Sequence, residues 1–208
     1  MPLNKRWAFL MALHEDLDFD SSGLTLNRLY KPAHTELVDY SSAKHLDQLL
    51  EILLDLQATD AFYPPRVRLK LTAAELVGWL TLDPVLQRWV ALRDKVVIGH
   101  ISIANPHDYI LDFLRGFELV DYSQNPFTEI GQFFVQSSDQ RSGAGKLLFE
   151  EALSFSSKNH LKPILAVIDG SSKARSFYAA QGLEKLGEFK GIHGINHVFS
   201  LKSSAQEN

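Results

Sequence analysis

Between Thr128 and Asn159 the sequence runs as strand, polar turn, glycines and helix, and this order constrains the fold more than any other feature of the chain. Thr128 to Gln136 reads as a strand and Gly143 to about Asn159 as a helix. A helix N-terminus leaves about four backbone N–H groups unpaired and carries roughly half a positive charge, so a turn that exposes it is a ready seat for phosphate. Glycines at 143 and 145 would let the backbone approach such an anion, and Arg141 and Lys146 add positive charge beside it. The pattern is not that of the common nucleotide loops. No Gly-Lys-Ser/Thr ending is present, and the dinucleotide spacing Gly-x-Gly-x-x-Gly fails because residue 148 is leucine. Two glycines before a helix also make an ordinary strand-to-helix turn, so the surroundings must decide.

Those surroundings read as a mixed α/β chain. Leu24 to Tyr30 alternates apolar and polar residues, and Thr35 to Tyr40 is a second short strand after Lys31-Pro32, so the two could pair as a hairpin. From Ala43 to Leu56, leucines recur at three- and four-residue intervals behind Ser41-Ser42, which predicts an amphipathic helix. Thr72-Ala-Ala-Glu75 is a capping box opening a helix to about Leu82, where Asp83-Pro84 stops it. Arg88 to Leu92 and Val96 to Ile103 form a hairpin through Arg93-Asp94-Lys95. An aromatic and acidic insert over 105–127 contains a short helix. Pro163 to Ile168 is a buried strand, Ser171 to Gln181 a helix ended by Gly182, and strands near Leu183–Phe189 and Asn196–Leu201 close the chain.

Composition narrows the function. At 208 residues, 45% of them hydrophobic and 22% charged, the chain suits one generous globular domain. Residues 1–34 read as an extension with an extra strand, and 35–208 as the domain. The net charge of −4 removes the basic footprint expected of nucleic-acid or anionic-membrane binding, and a cationic or amine-bearing ligand fits better. The absence of cysteine excludes thiolate metal sites and a thiol nucleophile. The eight histidines show no metal-ligand spacing, so no metal is expected. Lys5-Arg6 precede the apolar run Trp7–Leu13, but His14-Glu15-Asp16 stand where a signal peptide would have small residues. No stretch is long enough to span a membrane, so the expectation is a soluble cytoplasmic protein.

Gln140-Arg141-Ser142-Gly143-Ala144-Gly145 resembles the Gln/Arg-x-x-Gly-x-Gly/Ala signature of the GNAT superfamily of N-acetyltransferases. A second patch agrees: Ser171-Ser-Lys-Ala174-Arg-Ser-Phe177-Tyr178-Ala-Ala-Gln-Gly182-Leu183 resembles the family's Asn-x-x-Ala-x-x-Phe-Tyr-x-x-x-Gly-Phe segment. Ser171 stands where asparagine is usual, and Leu183 where phenylalanine is common. The resemblance covers roughly residues 35 to 201. It implies a mostly antiparallel central sheet of about seven strands flanked by helices, with acetyl-coenzyme A as cosubstrate and an amine acceptor, either a small molecule or a protein.

The resemblance also implies roles. The loop from Gln140 through Lys146 (Arg141, Ser142, Gly143, Ala144 and Gly145 included) would bind the pyrophosphate of the coenzyme. Phe133, Phe134 and Val135 would offer backbone groups to its pantetheine arm at a bulge, and Ser171, Ala174 and Phe177 would lie along it. Glu129 would act as general base and Tyr178 would protonate the departing thiolate. A strand glutamate is equally an ion-pair partner, and Ala174, Phe177 and Tyr178 share one helical face as core residues do. His100 is expected to be strand core or substrate wall, and the 105–127 insert either a lid over a cationic amine or a surface helix. The rival readings are a non-catalytic acyl-coenzyme A sensor, or an interaction module on the same fold. Exposed strand edges leave room for a homodimer.

Overall fold

The computed structural model describes residues 34–60, 63, 70–81, 85–116, 126–191 and 194–201. The expected N-terminal strand over 24–30, its hairpin, and the rest of the extension before residue 34 lie outside the described residues, as do residues 117–125 of the insert.

Among the described residues seven strands and five helices follow one another: β1 (Thr35–Asp39), α1 (Ser42–Thr59), α2 (Ala73–Thr81), β2 (Val85–Arg93), β3 (Val96–Ala104), α3 (Asp108–Arg115), β4 (Phe127–Val135), α4 (Ala144–Lys158), β5 (Lys162–Ile168), α5 (Ser172–Ala180), β6 (Leu183–Gly191) and β7 (Gly194–Leu201). The strands form one sheet in the order β1-β2-β3-β4-β5-β7-β6. Every neighbouring pair is antiparallel except β4 and β5. The expected mostly antiparallel sheet of about seven strands is what the chain forms, and Thr35–Asp39 pairs with β2.

Local chemistry explains several element ends. The capping box at α2 is closed in both directions: Thr72 N–H donates to Glu75 Oε2 at 2.8 Å, and Glu75 N–H to Thr72 Oγ1 at 3.3 Å. At α1 the residue is right and the device differs. Ser41 is the N-cap but makes no side-chain cap, and its own N–H donates to Nδ1 of His45, one turn on, at 3.0 Å. Gly182 ends α5 with φ +84°, a left-handed conformation that glycine adopts without steric cost.

Alternation along the strands builds a core on each face. Trp89 and Ala91 of β2 and Ile98, Ile101 and Ile103 of β3 pack with Ala144, Leu148, Phe149 and Ala152 of α4. On the other face Val90, Val97 and Phe134 meet Leu49 and Leu53 of α1 and Leu76 and Leu80 of α2. A smaller cluster joins Ile110 and Leu114 of α3 to Phe127, Ile164 and Val198. Helix α3 of the insert thus packs against the sheet. Each fully buried leucine or phenylalanine contributes about 1.5–3 kcal/mol relative to exposure, so α4 is fastened mainly by Leu148 and Phe149.

Candidate active site

The site begins where two parallel strands part. β4 and β5 pair only at Phe127↔Lys162, Thr128↔Pro163 and Glu129↔Ile164. Beyond Glu129, β4 continues to Val135 against β3 while β5 continues to Ile168 against β7. The β5-facing edge of Ile130–Val135 thus carries no ladder among the described residues. A wedge opens there, lined by backbone polar groups.

A bulge sits in this open stretch. Ser102 pairs with Gly131 but His100 pairs with Phe134, so β4 spends one residue more than β3 between the two pairs. Gln132 takes up the difference at φ +46°. The extra residue resets the alternation of β4. Ile130 packs in the α4 core, Phe133 and Val135 pack against that same core, and Phe134 joins the α1/α2 core. The expected bulge among Phe133, Phe134 and Val135 is present, one residue upstream at Gln132.

The glycine turn follows at the mouth of the wedge. A single 3-10 turn over Ser137–Asp139 leads into Gln140, Arg141 and Ser142, and Gly143 is the N-cap of α4 at φ +94°. Ser142 Oγ accepts from the Ala144 N–H at 3.4 Å. A Cβ on Gly143 would meet nothing within 4 Å, so the backbone here is open to close approach. Gly145 differs. A Cβ there would lie 3.5 Å from the Phe133 ring and from Val135, an ordinary packing distance. Arg141 adopts φ +65° and is exposed. Lys146 is exposed and pairs with Glu150 at 3.7 Å, which offsets part of the charge it was expected to add. Ala144 is fully buried and belongs to the core below the turn. Gln140 Nε2 donates to the Val135 carbonyl at 3.4 Å, tying the turn back to β4.

Long-range ties hold this turn from outside. Arg93, at the end of β2, pairs with Asp139. Ser137 Oγ donates to Asp55 of α1 at 2.9 Å. Partners 46 and 82 residues apart leave no signal in a local pattern.

Across the wedge, α5 presents an aromatic stack. Tyr178 lies against Phe149 (ring centroids 5.6 Å apart), Phe177 (5.7 Å), Phe199 (6.2 Å) and Phe133 (6.4 Å). Desolvation in this setting pushes the Tyr178 phenol above its ordinary pKa, so it keeps its proton. Phe177 stacks on Phe133 at 5.5 Å, and Ala174 packs against the same core. Ser171 is the N-cap of α5, half-buried and without a side-chain cap. Its turn is braced by Asp169, whose Oδ1 accepts from His197 Nε2 at 2.7 Å and from Arg175 at 2.8 Å. These partners hold the Asp169 carboxyl below its usual pKa, the His197 bond first among them.

Glu129 closes the narrow end of the wedge and is buried. Its Oε2 accepts from the backbone N–H of His107 at 2.9 Å and from His107 Nδ1 at 2.8 Å, and its Oε1 accepts from the Tyr109 hydroxyl at 2.7 Å. It is therefore not a solvent-facing strand glutamate. The His107 and Tyr109 rings stack at 5.4 Å and 14°. Neither was singled out from the sequence as a partner of Glu129, because the three meet only when β3 and β4 pair.

On the α1/α2 side Tyr63 packs on Trp79 (5.9 Å) and Phe134 (5.7 Å), with its buried hydroxyl lacking a partner among the described residues. Burial, and after it the neighbouring Tyr178 and Asp60, push this phenol well up. Among the described residues no cluster of His, Asp and Glu could hold a metal ion, and no helix is long and apolar enough to cross a membrane.

Similarity to known proteins bears on the family and the fold. The family described as "Acetyltransferase (GNAT) family" matches residues 47–183. No curated protein matches the sequence. Among solved structures, a GNAT-family acetyltransferase from Staphylococcus aureus Mu50 superposes with a TM-score of 0.59 at 15% identity, covering 81% of this chain and all of that one. Ribosomal-protein-alanine N-acetyltransferase from Brucella melitensis gives 0.57 at 18%, covering 79% and 98%. PaiA N-acetyltransferase from Thermoplasma acidophilum, solved in complex with coenzyme A, gives 0.56 at 14%, covering 82% and 99%. At such identities the structures speak to the fold, and the sequence match spanning most of the domain speaks to descent. The chain belongs to the GNAT family of acetyltransferases.

Proposed function

We propose that this chain transfers an acetyl group from acetyl-coenzyme A to a primary amine by direct attack within a ternary complex. The observation that carries the reading is the wedge: an edge of β4 from Ile130 to Val135 without a ladder to β5, opening beside the glycine N-cap of α4 at Gly143, with Phe133 of that edge against the Tyr178 ring. Such a wedge suits a long thioester that needs backbone partners for its amide arm and N–H groups for its phosphates.

The roles follow from what each group offers. Gly143, Ala144, Gly145 and Lys146 present the first amides of α4 to the pyrophosphate, with Gln140, Arg141 and Ser142 around it. Phe133, Phe134 and Val135 supply backbone groups along the arm, and Ser171, Ala174 and Phe177 form the opposite wall. The acceptor nitrogen forms the new C–N bond as the C–S bond breaks. Glu129 takes the proton the ammonium must lose, and Tyr178, kept protonated by its aromatic setting, donates to the departing sulfur. No covalent acyl-enzyme is needed, which suits a chain without cysteine.

Calorimetric titration of acetyl-coenzyme A into the wild type and Gly143→Glu, followed by thiol release with a panel of amines, tests this. Saturable binding to the wild type alone, with turnover of at least one amine, is expected. Binding without turnover on any amine gives the sensor reading its place, and no binding to the wild type gives it to the interaction module.

A further inference from the structure

The bulge that opens β4 places two successive carbonyls, those of Gly131 and Gln132, where the ladder to β3 is interrupted. Both are satisfied by side chains of the facing strand. Ser102 Oγ donates to the Gly131 carbonyl at 3.0 Å, and His100 Nδ1 lies 2.8 Å from the Gln132 carbonyl. These donors come from the two β3 residues that flank the register shift. Gln132 itself is a non-glycine residue at φ +46°, a conformation that persists only where its surroundings over-determine it. Its side chain is occupied as well, donating from Nε2 to the Trp79 carbonyl of α2.

The chemistry of the His100 contact has one sense. A carbonyl oxygen only accepts, so Nδ1 carries the proton, and in the neutral ring Nε2 is left with its lone pair. His100 is fully buried, and Nε2 has no hydrogen-bond partner among the described residues. Burial holds the imidazole at a pKa of about 4, against the raising effect of the Gln132 carbonyl, so the ring is neutral at neutral pH and the carbonyl contact selects its tautomer. The ring also stacks on Phe134, its cross-strand partner, at 5.4 Å and 29°. A fully buried histidine with one nitrogen on the bulge and the other unpartnered is hard to account for as packing alone, since leucine or phenylalanine would fill the space without an orphaned polar atom.

We infer that His100 is the positioning residue of the open strand: its Nδ1–H clamps the Gln132 carbonyl, with Ser102 on Gly131, and so holds the bulge that turns the Phe133–Val135 backbone toward the wedge. The inference deepens the proposed coenzyme-binding reading and rests on it for its functional consequence. His100 touches no reacting atom in this account. It acts through the backbone of its neighbour.

Two measurements on the full chain test this. In the wild type, nitrogen-15 NMR of the His100 ring is expected to show the Nδ1–H tautomer, and the Nε2–H tautomer would overturn the clamp whether or not coenzyme binds. Substitutions then separate a clamp from a filler, because the side-chain N–H of asparagine can stand near Nδ1 while that of glutamine reaches toward Nε2. His100→Asn should bind acetyl-coenzyme A within about threefold of wild type, and His100→Gln and His100→Leu should each lose about tenfold, the worth of one positioned hydrogen bond. Equal binding by His100→Leu, or equal loss in all three variants, would overturn it. Amide exchange of Phe133 and Phe134, expected to be faster in His100→Leu than in His100→Asn, reads the same clamp without coenzyme. A wild type that binds no coenzyme but shows the Nδ1–H tautomer and this exchange pattern would defeat the functional reading and leave the clamp standing.

Discussion

Tyr109 of α3 and Glu129 of β4 are joined, with the phenol hydroxyl donating to Oε1 at 2.7 Å while His107 occupies Oε2. The carboxylate at the narrow end of the wedge is thus oriented from the insert, and α3 is anchored to the residue proposed as base. Glu129→Gln keeps the volume and removes the charge, placing an amide N–H₂ against donors. Turnover is expected to fall by about 10²-fold or more at unchanged coenzyme affinity. Steady-state kinetics with calorimetry check it, and unchanged turnover would remove Glu129 from the chemistry. Tyr109→Phe, which leaves Oε1 with one donor fewer, should cost about 1–2 kcal/mol of stability in urea unfolding.

Tyr178 is set among four aromatic rings, so its ring packs whether or not it carries a hydroxyl. Tyr178→Phe is therefore expected to keep the wild-type unfolding midpoint and coenzyme affinity while turnover drops by about tenfold or more. A variant as fast as wild type would leave the residue to packing alone.

His100 gives stability a pH dependence of definite sign. Its folded pKa, about 4, lies below the ordinary histidine value, so between those two pH values the unfolded chain binds a proton that the folded chain does not. Stability from this group is present above the unfolded pKa and is lost as pH falls toward 4, on the order of 3 kcal/mol across the window. Thermal unfolding of the wild type and His100→Asn from pH 7 to pH 4 checks this. The wild type should lose more stability than His100→Asn as pH falls, and parallel curves would contradict it.

Arg93 and Asp139 tie the β2–β3 hairpin to the 3-10 turn ahead of Gly143, with both side chains largely buried. Removing either partner strands the other, so Arg93→Ala and Asp139→Ala should each cost about 1–3 kcal/mol, with the double variant costing less than the sum. Urea unfolding of the four proteins measures the coupling. Coenzyme affinity should fall with each single variant, because the glycine turn loses its outer support.

Features that depend on neighbours along the chain are legible in its residues. Thr72 and Glu75 are three residues apart and cap α2 in both directions, Gly182 stops α5 through its own backbone freedom, and the leucine spacing from Leu46 to Leu56 lies within one helix. The Gly143 turn was readable for the same reason, since an αL residue followed by a helix is a local event. Even there the reach was short. Ser41 marks the start of α1, yet the partner of its N–H is the ring of His45.

The wedge and its surroundings come from long-range pairing. The parting of β4 from β5 after Glu129↔Ile164 depends on a pairing 35 positions apart, and the bulge at Gln132 exists only against the register of β3. A carboxylate at 129 reads the same in sequence whether it faces water or three donors, and a histidine at 100 the same whether it fills a core or holds a carbonyl. The distinction is made by strands that meet across long loops, where the chain must be closed before any contact can form. Local patterns therefore specified the elements and the turn chemistry, while the orientation of Glu129, the stack around Tyr178 and the clamp at His100 came from sheet register.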